Sequence, residues 1–508
     1  MYAKTYGETT CGIYGVEITV EVDVNNGLPG FDIVGLPDTA VRESRERVKA
    51  AIKNSGFSFP STKVVVNLAP ADLRKDGSGL DLPIAVGILA ATDQLQEADL
   101  TRASFAGELA LDGAVRPIKG ALPIITGAKE RNKNVIFIPS NNCKEGQLVE
   151  GIEVYAVATL KELALHLRQE EPLCALEKRT LDQHVVSCYN VDFADVKGQI
   201  VAKRALEIAA AGGHNVLMVG TPGAGKTMLA RRLPTILPPM TEEEALEVTK
   251  IYSVTGLLYA QQGLMLERPF RSPHHTLSSR ALIGGGRIPK PGEVTLSHNG
   301  VLFLDELPEF SRSALEVLRQ PLEDGVVNIS RVEATMCFPA DFMLIASENP
   351  CPCGFYGEED HIHKCSCTAG EIEHYQKKIS GPLLDRIDMQ IHVARLNYLE
   401  LKELAPAESS AIIRQRVIAA RKIQQQRLAP DKMHCNGAMG HKEIVKYCHL
   451  EPEAQRLLGQ YFAKLGLSAR SHDRIIKVAQ TIADLAQAKT ISALHLAEAI
   501  QLRTNIQH

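Results

Sequence analysis

The sequence predicts an α/β chain: a central parallel-sheet domain around a phosphate-binding loop, a mixed α+β domain before it and a helical domain after it. Three observations carry this. Residues 220–227 read Gly-Thr-Pro-Gly-Ala-Gly-Lys-Thr directly after the apolar run Val216-Leu217-Met218-Val219, a buried strand entering the pattern G-x-x-x-x-G-K-[ST]. Val301-Leu302-Phe303-Leu304 and Phe342-Met343-Leu344-Ile345-Ala346 are two more apolar runs that end in polar residues, as buried parallel strands do. From about Asn397 onward Ala, Leu, Gln, Lys and Arg dominate. At 508 residues the chain is too long for one core and suggests about three domains.

Taken in order, residues 1–168 alternate strands and helices. Val16–Val22 has strand alternation, Thr39–Ser55 has helical spacing and charge, and Lys63–Leu68 and Val135–Ile138 read as strands. Residues 169–185 are polar and patternless, so they read as a linker. The nucleotide-binding domain spans 186–396 and includes a cysteine-rich insert at 351–367. Residues 397–508 form the helical region, ending in helices at about Ser468–Ala488 and Ser492–Arg503.

Composition narrows the function classes. A net charge of −4 gives no global nucleic-acid signature, so any such contact is local. No apolar stretch is long enough for a membrane span, and Met-Tyr-Ala-Lys-Thr-Tyr-Gly does not read as a signal peptide. Eleven scattered cysteines, an odd number, fit a reducing cytoplasm better than a disulfide scaffold.

The phosphate loop has a mechanical logic. Gly220, Gly223 and Gly225 let the backbone around Thr221, Pro222 and Ala224 curl its N–H groups toward phosphate oxygens, and the helix from Lys226 adds its positive end. Lys226 bridges the β- and γ-phosphates of ATP, and the Thr227 hydroxyl joins Asp305 in holding Mg²⁺. Glu306, next to Asp305, is the candidate general base for the attacking water. Asn349 follows the next strand and is placed to position that water or to sense the γ-phosphate. Arg386 and Arg470, each an ordinary surface ion pair if read alone, become candidates for stabilising transition-state charge beside these motifs. Cys351, Cys353, Cys365 and Cys367 form two close pairs suited to a structural Zn²⁺, although their one-residue spacing is tighter than usual. His361 and His363 are alternative ligands.

The order of these parts resembles an AAA+ ATPase, with Asp195-Val196-Lys197-Gly198-Gln199 similar to that family's start beside the adenine. Arg271–Thr276, Pro291–Gly300, Asn349–Gly354 and Gly381–Asp388 resemble the magnesium-chelatase-like branch. Within that branch the whole chain is very similar to the ComM (YifB) family. The resemblance implies a homo-hexameric ring in which Arg386 reaches the ATP of the next subunit and Arg470 acts as a second sensor. It also implies a helicase that drives branch migration on single-stranded or branched DNA during natural transformation, alongside recombination proteins.

In such a ring, the two short strands predicted within Glu323–Phe338 form a hairpin pointing into the pore, with Arg331 near its tip. Arg280–Lys290 reads as a flexible basic glycine-rich loop, making Arg280, Arg287 and Lys290 further DNA candidates. Arg74–Ala85 and Gly107–Gly120 resemble the Lon proteolytic domain, but Gly79 stands where its Ser nucleophile belongs and Leu122 where its Lys belongs. A shifted dyad of Ser78 and Lys119 is disfavoured, since a one-residue slip turns the hydroxyl from its base. Two other readings remain in view. One is a magnesium-chelatase-type motor that remodels a protein partner; the other is an ATP-dependent protease, which the missing Ser and Lys oppose.

Overall fold

The computed structural model describes all residues except 37–38, 72–74, 76, 96–99, 179–188, 259–262, 287–288, 331–334, 358–363, 396–406, 466–467 and 505–508. The chain divides into two compact units, Met1–Val185 with Glu242–Met265, and Val186–Thr241 with Leu266–His508.

The first unit is built on a seven-stranded mixed sheet. Its strands are β1 (Tyr2–Cys11), β2 (Tyr14–Asn25), β3 (Gly30–Val34), β4 (Lys63–Ala69), β5 (Ala103–Phe105), β6 (Val135–Pro139) and β7 (Glu153–Val157). They lie in the order β3-β4-β2-β1-β5-β6-β7. Period-two alternation on β2 turns Ile18, Val20 and Val22 into the core. Helices α1 (Thr39–Asn54), α2 (Asp81–Ala91) and α3 (Ala121–Glu130) accompany the sheet. Nearly every residue of α2 is buried, which suits a helix apolar on all sides.

The second unit opens with α4 (Ile200–Gly212), β8 (Val216–Val219) and α5 (Lys226–Ile236). The chain then makes α6 (Glu242–Thr255), which groups with the first unit rather than with the 186–396 stretch in which it lies. The reason is in its side chains. Leu246 packs on the cluster formed by Leu122, Ile125, Ile136 and Ile138, and the Ser253 hydroxyl donates to Glu145 at 2.5 Å.

Strands β9 (Phe270–Arg271), β10 (Val301–Leu304), β11 (Met343–Glu348) and β12 (Met389–His392) complete a five-stranded sheet with β8. The order is β9-β10-β11-β8-β12, and every pairing is parallel. Burial on both faces explains the continuous apolar runs. The carboxyl ends of β8, β10 and β11 therefore share one edge, where a doubly wound sheet binds ligands. Strand β11 runs two residues past the expected Ala346 and carries Ser347 and Glu348 within it.

Helices α7 (Ser410–Leu428), α8 (Ala469–Leu485) and α9 (Ala493–Thr504) belong to the helical C-terminal region. Ile413 and Val417 of α7 and Ile475 and Ile482 of α8 enter the same core as β8. Asp484, fully buried, is held by Arg427 at 2.7 Å.

The Arg280–Lys290 segment is not the open loop expected. Ser278 accepts from the N–H of Ala281 and caps a short helix, Ser279–Ile283, whose Leu282 is fully buried. Gly284-Gly285 then pairs antiparallel with Lys290-Pro291. Among the described residues, no helix is long and apolar enough to cross a membrane.

Candidate nucleotide site and cysteine cluster

The turn after β8 is shaped by its glycines. A Cβ on Gly220 would lie 2.3 Å from the Val393 carbonyl oxygen, so only glycine fits there. Gly223 and Gly225 have φ of +81° and +96°, and nothing lies within 4 Å of where their Cβ atoms would be. The result is an open backbone cradle ending at the start of α5.

Three strand ends bring side chains to this cradle. The Lys226 ammonium, itself buried, donates to the carbonyls of Gly220 (2.5 Å) and Thr221 (3.1 Å) and to Oδ1 of Asn349 (3.1 Å). The Thr227 hydroxyl donates to Oδ2 of Asp305 at 2.8 Å, and the Ser347 hydroxyl donates to the other oxygen of the same carboxylate. A hydroxyl and a carboxylate side by side at a phosphate cradle are oxygen donors suited to Mg²⁺.

Glu306 sits at φ +53°, a left-handed turn rare outside glycine, at the end of β10. Its N–H is fixed by Ser347 Oγ at 3.2 Å, its carboxylate is half exposed, and His275 Nδ1 lies 3.8 Å away. Neither Ser347 nor His275 was singled out individually from the sequence. Ser347 lies one residue beyond an apolar run, and His275 is carried in the Arg271–Thr276 string. Burial pushes the Glu348 carboxyl up to about 7, against the pull of Lys226.

Gln199, also left-handed, donates to the Ala224 and Ala394 carbonyls at 3.1 and 2.6 Å, tying the Asp195–Gln199 string to the phosphate loop and to the end of β12. Asp195 holds Arg232 at 2.9 Å.

The two candidate arginines meet at one acid. Arg386 is buried, pairs with Glu323 through Nη2 and donates to the Pro382 carbonyl at 2.8 Å through Nη1. Its Nε is buried without a hydrogen-bond partner. Arg470 is 63% exposed and lies 3.9 Å from the same Glu323.

Cys351, Cys353, Cys365 and Cys367 gather with all four sulfurs within 4.8 Å of one another. Sulfur separations of 3.3, 3.8 and 3.6 Å are far too long for a disulfide. They are close to the ~3.8 Å edge of a tetrahedron with Zn–S bonds of about 2.3 Å. Although burial opposes it, N–H groups of Phe355 and Ser366 aimed at the sulfur hold the Cys353 thiol below its ordinary range, favouring the thiolate a metal needs. The group can hold a metal ion. His361 and His363 lie outside the described residues.

Comparison with known proteins agrees with this assembly. The family described as magnesium chelatase, subunit ChlI, matches residues 192–401, with further matches to its ChlI subunit description over 20–142 and to its C-terminal part over 407–503. The uncharacterized protein YifB of Salmonella typhimurium is 44% identical across 99% of this chain and 97% of its own. The competence protein ComM of Haemophilus influenzae is 43% identical across 99% and 98%. The magnesium-chelatase 67 kDa subunit of Chlorobaculum parvum is 31% identical, over 32% of this chain and 23% of its own. The chain belongs to the magnesium-chelatase-like ComM/YifB family.

In this ComM/YifB chain, the candidate DNA residues are only partly in view. Arg280 is exposed on its short helix and Lys290 is exposed in its two-residue strand, whereas Arg287 and Arg331 lie outside the described residues. The hairpin strands Val326–Ser330 and Thr335–Pro339 pair antiparallel. In the first unit, Leu122 is fully buried, Lys119 is exposed and the Ser78 hydroxyl donates to Glu108. Arg74 and Asp76 lie outside the described residues.

Proposed function

We propose that this chain is a Mg²⁺-dependent ATPase that works as a DNA motor, driving branch migration while incoming DNA is recombined. The observation that carries the ATPase part is the joining of Lys226 to Asn349 and of Thr227 to Asp305 at one glycine cradle. Thr227 and Asp305 would hold Mg²⁺, which supplies charge neutralisation on the β- and γ-phosphates. Lys226 binds those phosphates, Asn349 orients the attacking water, and Glu306 takes its proton.

The DNA part rests on the family and on a relative named as a competence protein. The exposed Arg280 and Lys290 are phosphate contacts in this reading, with Arg287 between them in sequence and Arg331 next after the hairpin strand Val326–Ser330. We take the working form as a homo-hexameric ring in which Arg386 and Arg470 leave Glu323 to reach nucleotide, Arg386 across the subunit boundary. The four thiols hold a structural zinc ion. The first unit serves as a Lon-like scaffold with no proteolytic dyad, since the Ser78 hydroxyl is committed to Glu108 rather than to a lysine.

The test is the ATPase rate with and without single-stranded and three-stranded junction DNA, with Glu306→Gln as the blank. Stimulation by DNA, with junctions resolved only during hydrolysis, is the expected result; a rate indifferent to DNA overturns the DNA motor. The likeness to a magnesium-chelatase subunit over a third of the chain favours a second reading, a motor that remodels a protein partner. That reading predicts stimulation by a co-purifying protein and none by DNA.

A further inference from the structure

The cysteine cluster and the phosphate loop are built against each other. Cys351 follows Asn349 by two residues, and Asn349 is the side chain that receives Lys226 at 3.1 Å. Gly354, next after Cys353, approaches the phosphate loop so closely that a Cβ added to it would lie 2.6 Å from Cδ and 2.7 Å from Cγ of Pro222. Its φ of +88° is also one that side-chain-bearing residues rarely adopt. The far end of the insert returns to the same place. Cys365 and Cys367 lead into the helix Ala369–Gln376, whose buried Tyr375 lies beside the backbone N–H of Asn349.

We propose that a zinc ion on Cys351, Cys353, Cys365 and Cys367 clamps both ends of the insert onto the phosphate loop, so that metal occupancy sets nucleotide affinity. This rests on the four-thiolate reading above. The metal ties Cys353, next to Gly354, to Cys365 and Cys367 and so holds Gly354 against Pro222. With the clamp closed, the Pro222 side of the cradle and the Asn349 amide are fixed before nucleotide arrives, and binding costs less ordering.

The experiment uses the full-length protein. Metal content is measured by plasma mass spectrometry and ADP–Mg²⁺ affinity by calorimetry, before zinc is stripped with a chelator, after stripping, and after zinc is returned. The expected result is bound zinc, ADP binding weakened about tenfold on stripping, and recovery on re-addition. Gly354→Ala should retain zinc yet bind ADP about tenfold more weakly, because its methyl group collides with Pro222. Stripped protein that keeps its circular dichroism and its ADP affinity overturns the clamp and leaves the zinc site standing. Protein that neither holds nor takes up zinc overturns the four-thiolate reading, and the clamp with it. If stripping unfolds the chain, Gly354→Ala decides: zinc retained with unchanged ADP affinity overturns the clamp, and zinc retained with weakened affinity supports it.

Discussion

Two lysines make an instructive pair. Lys226 in the second unit and Lys75 in the first are both buried, both sit beside glycine-rich strings and both donate to backbone carbonyls. Around Lys226 the hydrogen bonds to Gly220, Thr221 and Asn349 end on neutral oxygens, and Glu348 close by is pushed toward neutrality. The positive charge is thereby aimed into a cradle of backbone N–H groups that also want an anion. Near Lys75, two carboxylates of the first unit are already held by other groups. Asp81 takes Arg47 at 2.8 Å, the Ser44 hydroxyl and the Leu109 N–H, and Glu108 takes Ser78 and, at 3.4 Å, Arg116. Carboxylates tied to their own arginines belong to a scaffold; a lysine at an open cradle of backbone N–H groups belongs to an anion-binding site.

The sharpest way to break this contrast is Lys226→Ala. ATP turnover should fall at least ~100-fold, because the residue neutralises charge that develops on the phosphates in the transition state. Steady-state hydrolysis at saturating ATP checks it, and near-normal turnover would sink the site assignment.

Next in size is Asp81→Ala. It leaves Arg47 facing a void and should cost the first unit about 3–5 kcal/mol of stability, as breaking a buried pair does, while nucleotide affinity stays unchanged. Thermal melting together with ADP titration reads both halves; a loss of ADP binding in still-folded protein would contradict the scaffold role.

A smaller effect is expected at Glu8, where burial raises the carboxyl to about 8, against Arg131 and Lys133 and with Glu17 adding to the rise. The folded value lies above the unfolded one, so between about pH 4.5 and 8 the native state holds the extra proton. Its contribution to stability is therefore lost as pH rises through that window. Glu8→Gln should match the parent near pH 5 and melt higher than it at pH 9. Parallel curves for the two proteins would refute the buried neutral acid.

The smallest effect is the most discriminating. Ser78→Ala should leave ATP turnover within about twofold and should not alter peptide cleavage, since a hydroxyl bound to Glu108 has no lysine to activate it. Any peptidase activity abolished by this change would reverse the comparison.

The parts of the candidate nucleotide site that the structure brings together are legible in the sequence because their pattern is local. Gly220–Thr227 is one contiguous string, and Asp305 and Glu306 end a strand whose apolar run announces it. The cysteine group was legible as two pairs, since metal ligands must cluster. What stayed hidden depends on contacts distant in sequence. Nothing in the sequence around Arg386 points to Glu323, 63 residues earlier, and nothing in Arg470 shows that it approaches the same acid. Ser347 as the second holder of Asp305 follows from the parallel pairing of β10 with β11, which no spacing along the chain reveals. The Arg280–Lys290 stretch reads as open because of its run of three glycines, while burial of Leu282 on a capped helical turn shapes the local structure.

Helix α6 has a consequence for how the protein is made. The first unit is interrupted in sequence: its Leu246, Val248 and Ile251 are encoded after the phosphate loop of the second unit. A ribosome must therefore translate past residue 265 before the first core can be sealed, by which time β8 and α5 are already synthesised. The first unit is thus begun before the second but cannot be finished until the second is under way. Cutting the gene after residue 185 would release neither domain intact, because one piece would lack a wall of its core and the other would carry that wall with nothing to cover.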